Sequence, residues 1–406
     1  MTRTRLITAA AVSLILWSYP AAAQSVDEPD PARVRVRLGP LWLNPTVALT
    51  NLGVDQNVFN EPEDRNPKSD FTFTLTPATD LWLRVGSTWV VGKIVEDVNW
   101  YQQYSSERNA STGYSVGWRV PFARLGFKID ASRRNARDRP GYEIDARVDR
   151  AETKVNGLVE LRMLSKTYIG VTGQRQRMDF DENAVFLNSN LQSQLDHTTT
   201  GAGLSLRHQL TPLTSIALTV GRSEDRFEYS ALRDSTATTV AGNITLDKFA
   251  LIRGSASVGY ENYQPDTPGL PDYRGVTAAV NLAYTLLGST RFTVDVSRDV
   301  QYSYDVNQPY YVQTRVGGEV AQQILGPVDV VVRGSFATLA YRDRAGATVA
   351  VPNRTDDLES YGAGVGYHLG RDTRVGFNVD RTRRTSDLAS RQYKNLTFGS
   401  SVTYGF

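Results

Sequence analysis

The chain has 406 residues, no cysteine and a formal net charge of +2, with 45 lysines and arginines against 43 aspartates and glutamates. The absence of cysteine excludes a disulfide framework, and the balanced charge argues against nucleic-acid binding. The mean hydropathy of −0.35 excludes a helical membrane protein, but it is compatible with a membrane-spanning barrel whose inner face is polar.

The first 23 residues have the pattern of a secretory signal. Arg3 and Arg5 precede an apolar stretch that is too short to span a bilayer, and three alanines follow at its end. We therefore expect residues 1–23 to be a signal peptide, residues 24–40 a periplasmic N-terminal segment, and residues 41–406 the folded domain. No later apolar run reaches the roughly 18 residues that a membrane helix needs.

From residue 41 onward, apolar and polar side chains alternate with a period of two, which is typical of strands with one face in an apolar medium. The segments are longer than the roughly 5–6 residues of most soluble strands, and they exceed the roughly 9–11 tilted residues that cross a bilayer. The predicted strands are 41–52, 71–85, 88–104, 111–120, 122–134, 146–163, 166–178, 199–210, 215–229, 235–246, 249–262, 274–286, 290–304, 311–324, 328–342, 358–369, 372–384 and 394–406.

Short connections alternate with longer polar ones along the chain, as they do where tight periplasmic turns alternate with extracellular loops. The pattern predicts an all-β fold, a transmembrane antiparallel up-and-down β-barrel of about 18 strands, with about 16 as the alternative. An even number of strands places both termini on the periplasmic side. A soluble β-sandwich is the competing interpretation, but sandwich strands rarely keep such length.

The final strand carries its apolar and aromatic residues at alternate positions: Leu396, Phe398, Val402, Tyr404 and Phe406. A closing strand that ends on an aromatic residue resembles that of Gram-negative outer-membrane β-barrels, in which the last aromatic residue is part of the assembly signal. This resemblance implies the bacterial outer membrane as the location. It also implies the barrel assembly machinery as a partner, through Phe406.

The outward face that the final strand defines is apolar in most other strands. Two charged residues, Glu96 and Arg298, nevertheless fall on this face in mid-strand, where a charge costs about 2–4 kcal/mol. A bulge or a register slip would turn these residues inward, and wrong strand limits are the other explanation.

Three segments carry a wider resemblance: Ser69–Arg84, Asp97–Tyr104 and the paired strands 146–178. They are similar to a family of outer-membrane β-barrel porins that is often associated with exopolysaccharide gene clusters. The resemblance covers nearly the whole mature chain. It implies either a channel for small hydrophilic solutes or an accessory of polysaccharide export, with periplasmic export proteins as partners, and it offers no catalytic residues.

The opposite face of the strands carries charged residues of both signs, which would line a hydrated lumen. Rings of fixed charge with a slight excess of cations would favour anionic solutes. Cross-strand ion pairs that stiffen the wall are the alternative interpretation. The candidate pore-lining residues are Lys93, Asp97, Arg119, Lys128, Asp130, Glu160, Arg162, Arg207, Arg253, Asp295, Arg315, Glu319, Arg333, Arg374 and Asp380.

A second group of arginines falls on the outward face near the extracellular strand ends, at the level of lipopolysaccharide phosphates. Arginine binds phosphate through bidentate hydrogen bonds, so one hypothesis is contact with outer-membrane lipid and lipopolysaccharide. The other is that the strands extend past the membrane into water. The candidates are Arg133, Arg175, Arg177, Arg381 and Arg383, with Arg147 and Arg222 in similar positions.

Signatures of an enzyme are weak. None of the three histidines, His197, His208 and His368, stands in a nucleophile motif or in a zinc-type spacing. The sequence therefore predicts no enzyme, no cofactor and no metal, and an outer-membrane hydrolase is the least favoured of the three functional hypotheses. Residues 179–198 form a long predicted loop, which makes them the favoured candidate for a constriction that folds into the lumen.

Overall fold

The computed structural model describes residues 34–247 and 250–405. The strands are β1 (Val36–Leu38), β2 (Leu41–Asp55), β3 (Asp70–Val85), β4 (Thr88–Tyr101), β5 (Asn109–Pro121), β6 (Leu125–Asp138), β7 (Val148–Leu164), β8 (Thr167–Phe180), β9 (Val185–Phe186), β10 (Ser189–Asn190), β11 (His197–Thr211), β12 (Thr214–Phe227), β13 (Ser235–Leu246), β14 (Ile252–Pro265), β15 (Tyr273–Leu286), β16 (Thr290–Tyr302), β17 (Tyr310–Leu325), β18 (Val328–Arg342), β19 (Thr355–Leu369), β20 (Thr373–Ser386) and β21 (Tyr393–Tyr404). The helical elements are α1 (Leu191–Leu195) and the 3-10 turns Glu63–Arg65, Ser105–Glu107, Ala231–Arg233 and Ala389–Arg391.

Within the described ranges, no helix has the length and the apolar character needed to cross a membrane. The predicted signal peptide, most of the predicted periplasmic segment and Phe406 lie outside the described residues.

The long strands form one closed sheet. Each pairs antiparallel with the strands before and after it, and β2 pairs with both β3 and β21. The result is a barrel of 18 strands, β2–β8 and β11–β21, which confirms the predicted number and excludes the alternative. β1 pairs with β2, and β9 and β10 form a separate short hairpin. Closure leaves no unpaired sheet edge, which is what a membrane requires of a spanning sheet.

The connections differ in length at the two ends of the barrel. Tight turns join the strands at one end, and longer loops join them at the other. Several of the tight turns place a glycine at positive φ, among them Gly86, Gly288, Gly326 and Gly370, where most other residues would be strained. Because the longer loops of such barrels are extracellular, we take the loop end as extracellular and the turn end as periplasmic.

The outer face of the barrel is apolar. Large apolar side chains such as Leu204 (61% exposed), Leu218 (53%) and Val365 (53%) alternate along their strands with residues that face the interior. A surface of this kind is unfavourable in water and is typical of a barrel that lipid surrounds. The predicted outward face is therefore the lipid-facing surface.

Glu96 and Arg298 keep their outward orientation. β4 and β16 pair with their neighbours without a register shift at either residue, so no bulge turns these side chains inward. Arg298 donates hydrogen bonds to the Val276 carbonyl at 3.2 Å and to the Thr314 hydroxyl at 2.5 Å. These contacts satisfy part of the guanidinium and reduce the cost of its outward position.

The junction between β2 and β21 closes the barrel. Gly53 and Gly399 face each other there, and a Cβ on Gly53 would lie 1.9 Å from a carbonyl oxygen of β21. The two strands therefore approach too closely for a side chain. Arg35 secures the periplasmic end of this junction, since its guanidinium donates to the Gly405 carbonyl at 2.9 Å and to the Asp372 carboxylate at 3.1 Å.

Candidate functional site

The connection between β6 and β7 crosses the interior of the barrel near its extracellular end. We call residues 139–147 of this connection the plug loop. Tyr142 of the plug loop packs in one cluster with Leu339, Tyr341 and Leu358 on the inner face of β18 and β19. Those strands lie about halfway round the barrel from β6 and β7. The plug loop therefore spans the lumen instead of folding back on its own hairpin.

Arg384, on the inner face of β20, holds the plug loop from the opposite wall. Its guanidinium donates to the Tyr142 carbonyl at 2.9 Å and to the Asp145 carboxylate at 3.1 Å. It also donates to Asp356 on β19 at 2.5 Å. Because Arg384 is only 1% exposed, water cannot replace a lost partner, and removing one would be costly.

Two further arginines complete this buried network. Arg391, between β20 and β21, donates to the Glu143 carbonyl and lies 3.1 Å from the Asp145 carboxylate. Arg354, which precedes β19, lies 3.1 Å from the Asp356 carboxylate. Reasoning from the sequence missed this network, because the plug-loop partners of Arg384 and Arg391 are far away along the chain.

Glu143 lies at the centre of the plug loop and is 1% exposed. Its carboxylate accepts hydrogen bonds from the Ser303 hydroxyl at 2.7 Å and from the Tyr304 backbone N–H at 3.1 Å. Burial raises the pKa of Glu143 above its ordinary value, while the hydrogen bond from Ser303 and the nearby charge of Arg354 oppose this increase. Glu143 therefore ties the plug loop to the connection between β16 and β17.

The connection between β8 and β11, residues 181–196, also turns inward. Its buried side chains Phe186 and Leu191 belong to one apolar cluster with Ile144 of the plug loop and with Tyr304. The rings of Phe186 and Tyr304 meet edge to face, with their centroids 4.9 Å apart. Two connections therefore fill the extracellular end of the lumen and support each other.

The sequence analysis favoured residues 179–198 as the constriction because of their length alone. The structure places this connection in the interior, where Phe186 contacts Tyr304 and Arg391 on the far side of the barrel. The shorter plug loop also reaches the far side. One sequence signal was available. Tyr142 and Ile144 are large apolar residues inside an otherwise polar connection, and a loop in water gains nothing from such residues.

Below the plug loop, ion pairs lie against the inner wall and cross a glycine. Arg333 on β18 and Asp380 on β20 form a bidentate pair at 2.8 and 2.5 Å, although β19 runs between them. The β19 residue opposite both is Gly362, where a Cβ would lie 2.0 Å from the Asp380 carboxylate. Two more pairs cross a glycine: Arg374–Asp329 over Gly366, and Arg207–Glu160 over Gly170.

The other predicted pore-lining residues have mostly local partners. Arg119 pairs with Asp130 at 2.5 Å, and Arg315 pairs with Asp295. Three others make a single contact each: Lys93 with Asp80 at 3.8 Å, Asp97 with Thr76 at 2.6 Å, and Arg162 with the Tyr168 ring at 5.6 Å. Lys128 and Glu319 line recesses in the wall. Arg253 has the inward register of β14. Within the described residues, carboxylates therefore neutralise much of the positive charge of the lumen.

Within the described residues, the inner wall contains open recesses, of which two are large enough to hold a small molecule. The larger has a volume of about 550 Å³ and lies against β6–β8 and β11–β13, where Gly201, Gly203 and Gly221 leave the wall bare of side chains. The smaller, of about 300 Å³, has Asp295 and Glu319 among its lining residues. The larger open space therefore lies on the side of the barrel away from the anchor of the plug loop.

The arginines at the extracellular strand ends fall into different groups. The outward assignment of Arg147 was wrong: this side chain, the last of the plug loop, is largely buried and pairs with Glu107 at 3.1 Å. Arg177 faces outward and is neutralised by Asp179 at 2.6 Å and Glu228 at 2.9 Å. The others keep the outward register: Arg133, Arg175, Arg222, Arg381 and Arg383.

Replacing Gly362 by alanine should destabilise the barrel, because the new methyl group would overlap the Arg333–Asp380 pair. The matched control is Gly221→Ala, which is also inward and whose nearest contact would be 3.5 Å away. We expect Gly362→Ala to lower the free energy of unfolding in urea by about 1–3 kcal/mol, with little change in the control. Equal unfolding midpoints for the two variants would show that the pair does not depend on the glycine.

Asp196 should make the inward-turned connection sensitive to pH. It is 4% exposed and accepts a hydrogen bond from the Phe180 N–H at 2.7 Å. Burial raises the pKa of Asp196 to about 6, and the nearby charges of Asp179 and Glu228 add to the increase. The folded form therefore keeps its proton longer than the unfolded form, so this stabilisation is complete below about pH 4 and is lost as the pH rises through about 6.

Amide hydrogen exchange can measure this effect. After correction for the intrinsic rate, we expect exchange in residues 181–196 to accelerate between about pH 4 and about pH 6 and to change little at higher pH. The acceleration should be absent in Asp196→Asn. An acceleration of the same size in that variant would assign the effect to another group.

The fold and its interior define a class of protein. A closed antiparallel barrel with an apolar outer face and a polar, charge-lined interior is the architecture of outer-membrane channels. Residues 30–406 match the family model described as "Putative beta-barrel porin 2". The match covers nearly the whole chain, and the protein therefore belongs to this family of outer-membrane β-barrel porins.

Several solved outer-membrane proteins have a similar fold. OpdK of Pseudomonas aeruginosa is 11% identical over 89% of this chain and 98% of its own, with a TM-score of 0.47. OccAB4 of Acinetobacter baumannii is 7% identical over 92% of this chain and 99% of its own, also with a TM-score of 0.47. The FrpB iron transporter of Neisseria meningitidis is 9% identical over 84% of this chain and 62% of its own, with a TM-score of 0.42. A search of curated proteins gave no match.

Proposed function

We propose that the protein is an outer-membrane channel for small hydrophilic solutes whose extracellular mouth is narrowed by the plug loop. The observation that carries this proposal is the position of the plug loop. It spans the lumen and is held at the far wall by Arg384, which is buried and bonded to both Tyr142 and Asp145. Below it, the wall is polar and holds open recesses.

The volume and the polar lining of the wall recesses are suited to a small, hydrophilic solute. The larger recess, of about 550 Å³, is within the roughly 300–1,000 Å³ range of sites that hold small molecules. Its lining includes amide, hydroxyl and charged groups such as Gln174, Thr219 and Lys128, which can replace the hydrogen bonds that a solute makes with water. Because most wall charges are paired, we expect weak selectivity between anions and cations.

Single-channel recording of the refolded protein in planar bilayers tests this proposal. We expect small conductance steps, with a reversal potential close to zero in a gradient of potassium chloride. A barrel that stays silent, both as the natural chain and after removal of the plug loop contacts, would contradict a channel function. A strongly anion-selective current would contradict the charge pairing of the lumen.

A second function, as the accessory barrel of a polysaccharide export system, is favoured by the same plug. A barrel whose mouth is filled by buried side chains is suited to conduct little on its own and to open with a periplasmic partner. Deletion of the gene should then reduce surface polysaccharide, and the barrel should co-purify with a periplasmic exporter. A normal amount of polysaccharide in the deletion strain, together with solute uptake that depends on the barrel, would reject the export function and support the channel function.

A further inference from the structure

On β20 and β21, the outward face changes from apolar to basic near the extracellular end of each strand. Along β20, the outward residue Val379 is followed by Arg381 and Arg383. In the neighbouring strand, Leu396 stands opposite Arg381, and Lys394 stands opposite Arg383. The two strands therefore present a basic patch above an apolar stripe, near the extracellular end of the barrel.

The two arginines of this patch are exposed and have no direct partner in the described residues. Neither Arg381 nor Arg383 has a hydrogen bond or an ion pair there, although Glu63 lies near enough to Arg383 for the two charges to attract each other. Arg383 lies opposite Glu359 in the register of β19 and β20, but the two side chains form no ion pair. Lys394, at the edge of the patch, pairs with Glu63 at 2.8 Å. Two adjacent guanidinium groups are thus available to a ligand.

The opposite sector of the barrel shows what strand ends look like when they extend into water. There, the outward arginines nearest the strand ends are bound by carboxylates of the protein: Arg177 by Asp179 and Glu228, and Arg226 by Asp266 and Asp234. Arg175 and Arg222, which lie farther from these ends, form no ion pair in the described residues. On β20, Arg383 lies as near the strand end as Arg177 does on β8 but has no ion pair, which leaves Arg383 and Arg381 available to a partner outside the chain.

We propose that Arg381 and Arg383 bind the phosphate groups of a phosphorylated lipid in the outer leaflet of the membrane. Arginine matches phosphate geometry with two parallel hydrogen bonds. The apolar stripe below, which includes Val379 and Phe377, contacts the acyl chains of the same molecule. A free phosphate would leave this stripe unused, so the ligand is an amphiphile with its phosphate above its chains.

The test compares two double variants that remove the same charge. Arg381→Gln/Arg383→Gln removes the free pair, whereas Arg177→Gln/Arg226→Gln removes two arginines that the protein already neutralises. After purification from cells in mild detergent, lipopolysaccharide is measured for each mole of barrel, and the heat-dependent mobility of the folded barrel on gels confirms folding. We expect the first variant to retain about tenfold less lipopolysaccharide than the natural chain, because two charged hydrogen-bonding groups are lost. We expect the second to retain the natural amount.

A second arm identifies the group that is recognised. The refolded barrel is mixed with detergent micelles that contain lipid A, either with both phosphates or after their enzymatic removal, and binding is read by native mass spectrometry. The phosphorylated form should bind in preference to the phosphate-free form, and Arg381→Gln/Arg383→Gln should abolish the preference. Equal retention by the two double variants, or equal binding of the two lipid A forms, would overturn the proposal. If the glutamine variant does not fold, Arg381→Lys/Arg383→Lys, which keeps the charge but not the bidentate geometry, should show an intermediate loss.

Discussion

Replacing the five residues Gly141–Asp145 of the plug loop with glycine and serine should raise the single-channel conductance of the barrel several-fold. This segment contains the Tyr142 ring and the Glu143 and Asp145 carboxylates, through which the plug loop is bound to the far wall. Without these contacts, no interaction offsets the conformational entropy that the backbone loses when it is ordered across the lumen. The loop should then move to the extracellular surface and leave the lumen open.

The control for this prediction replaces five residues of another extracellular connection, Gly346–Ala350, between β18 and β19. These residues are exposed or only partly buried, so their replacement should leave the conductance unchanged. Both variants must show the heat-dependent gel mobility of a folded barrel. A larger conductance in both would mean that any shortening of side chains at the mouth opens it. No change in either would mean that the plug loop does not limit the current.

Replacing Arg384 with methionine should lower the free energy of unfolding by about 3–5 kcal/mol and should release the plug loop. Methionine keeps much of the side-chain volume but cannot donate hydrogen bonds. The Tyr142 carbonyl and part of the Asp356 carboxylate would then be buried without a donor that they now have. The loss of stability arises mainly because these acceptors stay buried without a donor, and less because the attraction between the charges is lost.

The matched control is Arg374→Met, which removes one of the two partners of Asp329 on the wall below the plug loop, the other being His368 at 2.7 Å. Both variants should unfold at lower urea concentration, because each leaves a carboxylate with one partner fewer. Only Arg384→Met should accelerate amide hydrogen exchange in residues 140–147, since Arg374 makes no contact with the plug loop in the described structure. Equal exchange rates in these residues for the two variants would show that Arg384 stabilises the barrel without holding the plug loop.

The barrel itself could be predicted well because its signal is local. In a strand, residues at i and i+2 share a face whatever the rest of the chain does. Phe377 and Val379, for example, could be assigned to the outer surface by comparison with their own neighbours. The limits of the strands were less certain, and both ends of β14 and the start of β19 differ from the predicted positions by three residues because loops begin without a change in this pattern.

The partners of the lumen residues could not be predicted in the same way. The alternating pattern placed Arg333 and Asp380 on the inner face, but two strands that are not neighbours carry them. Their contact depends on the missing side chain at Gly362, which lets the pair lie across β19. A glycine in a strand has several explanations, and the sequence does not distinguish a gap for an ion pair from a bend or a bulge.

The sequence by itself determined the closed sheet and the face that meets lipid, since both follow from a pattern repeated in every hairpin. It predicted about 18 strands but left 16 open, and the structure decided between the two. The tertiary structure alone decided that the lumen is crossed near its extracellular end. The contacts that hold the plug loop join residues that are far apart in the chain: Arg384 is 242 residues from Tyr142, and Arg391 is 248 residues from Glu143. No local pattern records such contacts, because they form only when closure of the barrel brings opposite walls within reach of one connection.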